Sequence, residues 1–330
     1  MASLDPVTQI QLMSGSYYLS RCLQIAAELG IADLISDIPV SSFELAKVTG
    51  SDADALARML SLLCVHGVFQ RVDGGFGHTE LSRILRTDHP TSMRSFARMF
   101  GITVLWQAAM RLDESIATGR PVGDEVTPEG FWHYLEQHPD ASRKFNQTMV
   151  AKSQMVVPLV VAAYDFGQFS RIVDVGGGRG HLLSAILASS AHMSGILFDQ
   201  PHVVAEAEGI ASKRLELRGG NFFTDELPVA DAYVLMEVIH DWDDQKGGEI
   251  LQAIRRVAPA GAKLLLVEAM MPDPPVPCWT TTLDVVMLNL LGGRQRRLSE
   301  YESLLNRCGF DAVREIPVGA GHSMIEACPC

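Results

Sequence analysis

Short apolar runs alternate with segments of helical periodicity along the second half of the chain. The runs are rich in Val, Leu and Ile, which is typical of buried strands. They lie at Arg171–Val175, Gly195–Asp199, Leu215–Arg218, Ala232–Val238, Ala262–Ala269, Ala312–Pro317 and Ser323–Cys328. Helices are predicted between them at Gly180–Ser189, Val203–Ser212, Asp244–Ala258 and Ser299–Cys308. The alternation predicts an α/β fold with a Rossmann-like doubly wound sheet, whose last two strands share a short turn and are therefore antiparallel.

The first part of the chain shows helical periodicity and one hairpin pattern. A long amphipathic helix is predicted at Gln9–Glu28. Shorter helices follow at Ala32–Ser36, Ser42–Val48 and Asp52–His66, and a hairpin at Phe69–His78. This order is that of a winged helix, whose third helix would enter the major groove of DNA. That helix carries two acids, Asp52 and Asp54, and one arginine, Arg58, whereas a helix that faces phosphates is basic. We therefore expect it to serve packing or dimerisation.

The middle of the chain is predicted to be helical, with a loop rich in glycine and proline. The predicted helices are Phe96–Met110, Leu112–Thr118, Phe131–Gln137 and Ala141–Ala163. Their aromatic and sulfur-containing side chains suit either an ordinary core or a flat apolar pocket. We therefore expect a winged-helix-like domain at 1–95, a helical linker and substrate-pocket region at 96–165, and a ligand-binding α/β domain at 166–330.

The overall composition argues against several classes of protein. The formal net charge of −12 disfavours nucleic acid and anionic membranes as partners. No apolar run approaches a membrane span, and the N-terminus lacks a basic region followed by an apolar core, so we expect a cytoplasmic protein. The six cysteines show no paired C-x-x-C spacing, and neither a metal site nor a disulfide framework is expected.

A glycine-rich turn follows the first strand of the alternating region. It reads Asp174-Val175-Gly176-Gly177-Gly178-Arg179-Gly180 and opens a predicted helix, so its N–H groups suit a small ligand. A dinucleotide fingerprint needs its third glycine where this chain has His181, and this mismatch favours S-adenosylmethionine over NAD. An ordinary tight turn between a strand and a helix has the same glycines.

Polar and titratable residues follow the next strands. Asp199 follows the glycine turn by about 20 residues, the separation along the chain that is typical of an acid that binds ribose hydroxyls. Asn221 and Phe222 suit an adenine ring. His240 leaves the fourth strand, where substrates dock, and imidazole takes up protons near neutral pH. Glu268 ends the fifth strand, where a carboxylate would stabilise the imidazolium. Each residue also has an ordinary structural explanation. Phe222 would only fill an apolar gap at the end of its strand, His240 would be a structural histidine, and Glu268 would be a solvated strand end.

These motifs resemble the caffeic-acid-type (plant-type, class I) S-adenosylmethionine-dependent O-methyltransferase family, in its bacterial secondary-metabolite branch. The resemblance rests on Asp174–Gly180, Phe198–Pro201, Gly220–Phe223, His240–Asp244 and Gly292-Gly293, and it covers nearly the whole chain. It implies a methyltransferase sheet, S-adenosylmethionine as cofactor with S-adenosylhomocysteine as product, and a homodimer formed through the N-terminal domain.

The resemblance also implies roles for individual residues. His240 would be the general base, flanked by Glu268 and Gln295. The cofactor would contact Ser153, Asp174, Gly176, Gly178, Asp199, Gln200, Asn221, Phe222, Met236 and Trp242. The aromatic acceptor would contact Phe145, Met149, Met287 and Asn289, and we add Trp106 as a further candidate.

The chain departs from the family pattern at three positions. Asn221 replaces an Asp, Met236 replaces the Lys of plant members, and Gln295 replaces a second acid beside the histidine. Gln295 can still orient the imidazole but adds no charge. The neighbouring arginines at 294, 296 and 297 suit either an acidic acceptor or a solvated helix-capping loop.

The resemblance implies methyl transfer to a hydroxyl of an aromatic small molecule of phenol, polyketide, quinone or phenazine type. Three alternatives remain open at this point. They are N-methylation of an aza-aromatic, hydroxylation or pericyclic chemistry in which the cofactor is structural, and a winged-helix regulator that senses a ligand.

Overall fold

A seven-stranded sheet is the largest element of the computed structural model, which describes residues 5–330. A hairpin of β1 (Phe69–Val72) and β2 (Gly75–His78) precedes it. The sheet contains β3 (Arg171–Val175), β4 (Ser194–Asp199), β5 (Leu215–Gly219), β6 (Ala232–Met236), β7 (Lys263–Ala269), β8 (Phe310–Gly319) and β9 (His322–Pro329). Their order is β5-β4-β3-β6-β7-β9-β8, and β9 runs antiparallel to both of its neighbours. The predicted α/β fold with an antiparallel last strand is confirmed.

Helices account for most of the other regular structure. The helices before the sheet are α1 (Pro6–Ser14), α2 (Ser16–Glu28), α3 (Ile31–Leu34), α4 (Ser42–Thr49), α5 (Ala53–Val65), α6 (Glu80–Arg83), α7 (Arg94–Met99), α8 (Thr103–Ala109), α9 (Leu112–Thr118), α10 (Gly123–Val126), α11 (Phe131–Gln137) and α12 (Pro139–Ala163). Those within the sheet region are α13 (His181–Ser189), α14 (Pro201–Glu206), α15 (Asp244–Val257), α16 (Trp279–Leu290) and α17 (Leu298–Arg307). Among residues 5–330, no helix has the length and apolar character needed to cross a membrane.

The described residues divide into two compact units. The first holds the chain up to Gln107 together with Leu135–Ala151, and α2, α4, α5 and the hairpin build its core. Helix α1 buries none of its residues; its exposed apolar side chains include Val7, Ile10 and Met13. The second unit holds Ala108–Tyr134 and Lys152–Cys330. The predicted division at 1–95, 96–165 and 166–330 stays a prediction.

The sheet of the second unit is packed on both faces. Successive strand residues point to opposite faces, so Ile172 and Val173 of β3 belong to separate buried clusters. Helices α15 and α17 cover one face, and α13 and the end of α12 cover the other. The neighbouring strands β3, β6 and β7 are parallel, and their carboxyl ends meet at the edge where such sheets bind ligands.

Several helix predictions are wrong in detail. Gly15 separates α1 from α2, so the predicted single helix at Gln9–Glu28 is two helices, and α7 ends before Gly101 within the predicted Phe96–Met110. Glycine lowers helix stability by about 1 kcal/mol relative to alanine. The predicted Val203–Ser212 helix also ends early, because α14 stops at Glu206 and a 3₁₀ turn follows.

Helix α16 has no counterpart among the predicted elements. It contains several β-branched residues, such as Thr281 and Val286, which have a low intrinsic helix propensity. Its buried residues, among them Leu283, Met287 and Leu290, recur at helical spacing and pack into the second unit. Tertiary packing therefore outweighs local propensity in this segment.

Candidate active site

The turn between β3 and α13 needs glycine for both conformation and space. Positive φ values of 71°, 59° and 72° occur at Gly176, Gly178 and Gly180, a region that side-chain-bearing residues rarely adopt. A Cβ at Gly177 would lie 2.4 Å from Asp174 Oδ2, and one at Gly176 would lie 2.9 Å from Val238 Cγ2. The turn after β3 therefore packs directly against the residues that follow β6.

Two acidic side chains support this turn. Asp174 is buried, and neither carboxylate oxygen has a hydrogen-bond partner among the described residues. Burial and the neighbouring charge of Asp199 raise the pKa of Asp174 to about 7. Burial also raises the pKa of Asp199, whose carboxylate accepts hydrogen bonds from the N–H groups of Gly178 at 2.8 Å and Gln200 at 2.7 Å. Four residues predicted to contact the cofactor therefore lie together, namely Asp174, Gly178, Asp199 and Gln200.

Three aromatic rings cluster after β5 and β6. Phe222, Phe223 and Trp242 meet edge to face with centroids 4.7 to 6.0 Å apart, a favourable geometry for aromatic pairs. All three are half-buried. Asn221 is exposed, and its Oδ1 accepts the Phe223 N–H at 2.9 Å. Two residues predicted to contact the cofactor, Phe222 and Trp242, thus lie together, and the Asn221 amide binds the backbone of its own loop.

His240 is buried on the 3₁₀ turn Ile239–Asp241 that follows β6. Its Nδ1 lies 3.5 Å from Glu268 Oε2 and 3.0 Å from Gln295 Nε2, so the structure brings together the three residues predicted for catalysis. Its Nε2 lies 3.3 Å from Asp241 Oδ1. Glu268 is fully buried, and its Oε1 accepts the Ile239 N–H at 2.9 Å.

The orientation of the Gln295 amide decides which imidazole nitrogen carries the proton in the neutral ring. Gln295 Oε1 and Glu268 Oε2 are buried without hydrogen-bond partners among the described residues. A half-turn of the amide places Oε1 on Nδ1, where it accepts a hydrogen bond from Nδ1–H. With its proton held on Nδ1, the neutral imidazole presents Nε2 as an acceptor.

Charges around His240 favour its protonated form. Burial alone lowers the pKa of His240, but the carboxylates of Asp241, Glu268 and Glu237 outweigh burial and raise it to about 9. Burial raises the pKa of Glu268, and the His240 charge and the Ile239 N–H oppose that rise. The imidazolium is therefore the stable form at neutral pH in the free chain.

Glu237 is a further charged residue near His240, and no sequence motif signals it. Glu237 Oε1 pairs with Lys152 of α12 and, at 3.1 Å, with His322 Nε2 at the start of β9. Burial alone raises the pKa of Glu237, but Lys152 and His322 hold it well below its usual range. His322 Nδ1 lies 3.0 Å from the Ala320 carbonyl oxygen. Both ring nitrogens of His322 thus face oxygen atoms, one of the Ala320 carbonyl group and one of the Glu237 carboxylate.

The remaining predicted contact residues lie in both units. Met236 ends β6 and is half-buried, as is Ser153 of α12. Met287 and Asn289 are buried on α16 in the second unit, where Asn289 Oδ1 accepts a hydrogen bond from Ser115 Oγ at 3.0 Å. The other candidates, Trp106, Phe145 and Met149, belong to the first unit, where Trp106 Nε1 donates to Gln24 Oε1 at 3.1 Å. Their contacts with an acceptor stay predictions.

No group of three or more His, Cys, Asp or Glu side chains is placed to hold a metal ion within residues 5–330.

Two family models match the chain. A model of the O-methyltransferase domain matches residues 110–311, which include the glycine turn and the surroundings of His240. A model of the O-methyltransferase dimerisation domain matches residues 10–88, which include α2 to α5 and the hairpin.

Individual relatives match over nearly the full length. A phenazine O-methyltransferase of Lysobacter antibioticus is 39% identical over 97% of this chain and 95% of its own length. The crystal structure of LaPhzM has a TM-score of 0.89 with 39% identity, covering 99% of this chain and 100% of that one. An O-methyltransferase of neocarzinostatin biosynthesis, solved with S-adenosylmethionine and 2-hydroxy-5-methyl naphthoic acid, has a TM-score of 0.83 with 31% identity over 95% and 96% of the two chains.

Replacing the buried acid beneath the turn tests its electrostatics. Because the pKa of Asp174 is higher in the folded chain than in the unfolded chain, the folded state loses stability as the pH rises toward about 7. We expect Asp174→Asn to raise the free energy of unfolding relative to the parent chain increasingly from pH 5 to pH 8, by about 1.4 kcal/mol per unit of pKa shift. Urea unfolding measures this, with the exposed Asp311→Asn as the matched control. A difference that does not change with pH would contradict the raised pKa.

Proposed function

The chain belongs to the family of S-adenosylmethionine-dependent O-methyltransferases, and we propose that it methylates a hydroxyl of an aromatic small molecule with His240 as the general base. One observation carries the proposal. His240 follows β6 with Nδ1 turned toward Glu268 and Gln295, and Val238, two residues before it, packs against Gly176 in the turn that follows the neighbouring strand β3. A base and a cofactor turn therefore share one edge of the sheet.

The residues around the turn fit the cofactor. A Cβ at Gly178 would meet no atom within 4 Å, so there is open space beside the turn at this residue. The partly exposed carboxylate of Asp199 suits ribose hydroxyls, and the half-buried rings of Phe222 and Trp242 suit the adenine. Ser153, Met236 and Gln200 complete the proposed contacts.

The chemistry asks the chain mainly for positioning and for removal of a proton. S-adenosylmethionine, when bound, supplies a methyl group on a positively charged sulfur that needs no further activation. Holding the two reactants in line contributes several kcal/mol. His240 Nε2 takes the proton of the acceptor hydroxyl, a step that contributes about 10²- to 10⁴-fold. Glu268 then stabilises the imidazolium, and the Gln295 amide keeps the proton of Nδ1 in place.

An aromatic acceptor is supported by the relatives and by the residue types. One relative is a phenazine O-methyltransferase, and another was solved with a hydroxynaphthoic acid. The candidates Phe145, Met149, Met287 and Trp106 are aromatic or polarisable apolar residues, which suit a flat ring. Asn289 is the polar exception, and its carbonyl group is already bonded to Ser115.

A homodimer formed by the first unit is part of the same proposal. The dimerisation-domain model covers most of that unit, and α1 leaves apolar side chains such as Val7, Ile10 and Met13 exposed. Burial of such a face supports association. A cytoplasmic location, and the absence of nucleic-acid and membrane partners, stay predictions.

Removing the base separates turnover from cofactor binding. We expect His240→Asn to lower kcat by about 10²- to 10⁴-fold and to leave the dissociation constant for S-adenosylmethionine unchanged, because the proposed cofactor contacts are made by other side chains. Hydroxyphenazine and hydroxynaphthoic acid serve as acceptors, with mass-spectrometric detection of the methylated product, and calorimetry measures cofactor binding. The exposed His192→Asn is the matched control. Unchanged kcat in His240→Asn would remove the histidine from the mechanism.

The pH dependence tests the role of Glu268. His240 acts as a base only when neutral, so kcat/KM rises with pH through the raised pKa of about 9. Glu268→Gln removes a charge 3.5 Å from Nδ1 and is expected to move this rise to lower pH by about 1 to 3 units, with a lower maximal rate. The exposed Glu315→Gln should leave the profile unchanged. A profile that keeps its position in Glu268→Gln would show that the carboxylate does not set the proton affinity of His240.

A further inference from the structure

Arg296 is fully buried between α16 and α17. A buried guanidinium is costly unless its charge is paired and its N–H groups are bonded. Its Nε and Nη2 both donate to Asp244 Oδ1, at 3.0 and 2.8 Å. The ring of Tyr301 lies 5.7 Å from its central carbon, a distance that allows a cation–π contact. These contacts fit a guanidinium, and the burial of Arg296 excludes the expectation of a solvated side chain at this position.

The other donors of Arg296 reach the backbone around His240. Nη1 donates to the Ile239 carbonyl oxygen at 3.1 Å, and Nη2 donates to the Trp242 carbonyl oxygen at 2.9 Å. Asp244, the third partner, is the first residue of α15. One side chain therefore binds the residue before His240, the residue two positions after it, and the helix that follows.

The backbone of the same segment encloses His240 as well. The Arg294 N–H donates to the His240 carbonyl oxygen at 2.9 Å. A Cβ at Gly293 would lie 2.2 Å from that oxygen, so the close approach requires glycine. Met271, which follows the strand of Glu268, donates its N–H to the Arg296 carbonyl oxygen at 3.0 Å. Residues 293–296 thus connect the turn of His240 with the strand that holds Glu268.

We propose that Arg296 is a positioning residue that holds the turn of His240 so that Nδ1 faces Glu268 and Gln295 and Nε2 is left to take the proton of the acceptor hydroxyl. This inference rests on the proposed function of His240 and adds a residue that acts through it. The alternative that Arg296 attracts an acidic acceptor is excluded, because its side chain is buried and its N–H groups bind Ile239, Trp242 and Asp244.

Lysine cannot replace the geometry of this contact. A guanidinium presents N–H groups in a planar fork, whereas an ammonium is a compact charge on a flexible stem. Arg296→Lys keeps the positive charge beside Asp244. The lysine ammonium cannot donate to the Ile239 and Trp242 carbonyl oxygens in the geometry of the planar fork. The turn then loses its hold on His240, and the imidazole moves relative to Glu268.

The first test reads the imidazole directly and needs neither cofactor nor acceptor. An NMR titration of histidine-labelled chain, with the His240 signal assigned by His240→Asn, gives the pKa of His240. The charged groups that face it are Asp241 on its own turn, Glu268 of β7, and Glu237 with its partners Lys152 and His322. We expect Arg296→Lys to lower this pKa by at least about one unit, because contact with Glu268 weakens. Arg297→Lys, an adjacent exposed control, should not shift it.

The second test uses the reaction with hydroxyphenazine. We expect Arg296→Lys to lower kcat at least about tenfold with little change in KM for S-adenosylmethionine, since a small misplacement of a catalytic group is costly. Asp244→Asn, which weakens the same contact without removing the arginine, should move both readouts in the same direction by less. A folded Arg296→Lys chain with parental kcat and parental His240 pKa would overturn the inference. Absence of methyl transfer by the parental chain would overturn the proposed function instead, and the NMR result would still decide the role of Arg296.

Discussion

Glu268 ends a central strand with no exposure to solvent, and an ionised carboxylate in such a place has to be matched by charge or hydrogen bonds. The Ile239 N–H binds one oxygen, and the imidazole of His240 faces the other. This contact fixes one nitrogen of the ring and raises its proton affinity. The segment 293–296 binds the backbone of the turn that carries this ring, and the charge of Glu237 further raises the pKa of His240.

Several carboxylates raise the pKa of His240 although the chain has one acid fewer beside it than the family pattern. Gln295 stands where a second acid is expected, and it lies on Nδ1 as a neutral amide. Asp241 and Glu237 also raise the pKa of His240, so the missing charge is distributed over other carboxylates. Lys152 and His322 bind Glu237 and limit how much negative charge collects at this edge. An amide beside His240 is therefore compatible with a strong base.

The sequence predicts the parts of this arrangement that depend on local pattern. The strands are apolar runs, the turn is rich in glycine, and His240 and Glu268 follow neighbouring parallel strands, whose carboxyl ends must meet. Contacts between distant positions are not readable in this way. Glu237 and His322 lie far apart in the chain, and Glu237 adopts a φ of 55° that no local pattern signals. Arg296 looks like one of three neighbouring solvated arginines until packing buries it. Helix α16 is likewise decided by burial and not by propensity.

Proton removal by His240 is the central step of the proposed reaction, and acceptors of graded acidity test it most directly. Methyl transfer to a series of ring-substituted phenols is measured at one pH for the parental chain and for His240→Asn, in single turnovers with saturating S-adenosylmethionine. A phenol with a pKa near 10 needs a base, whereas a phenol already ionised at the assay pH does not. We expect the rate of the parental chain divided by that of His240→Asn to be about 10² or more for the least acidic phenols. This ratio should fall toward one as the acidity of the phenol increases. A ratio that stays the same across the series would contradict it.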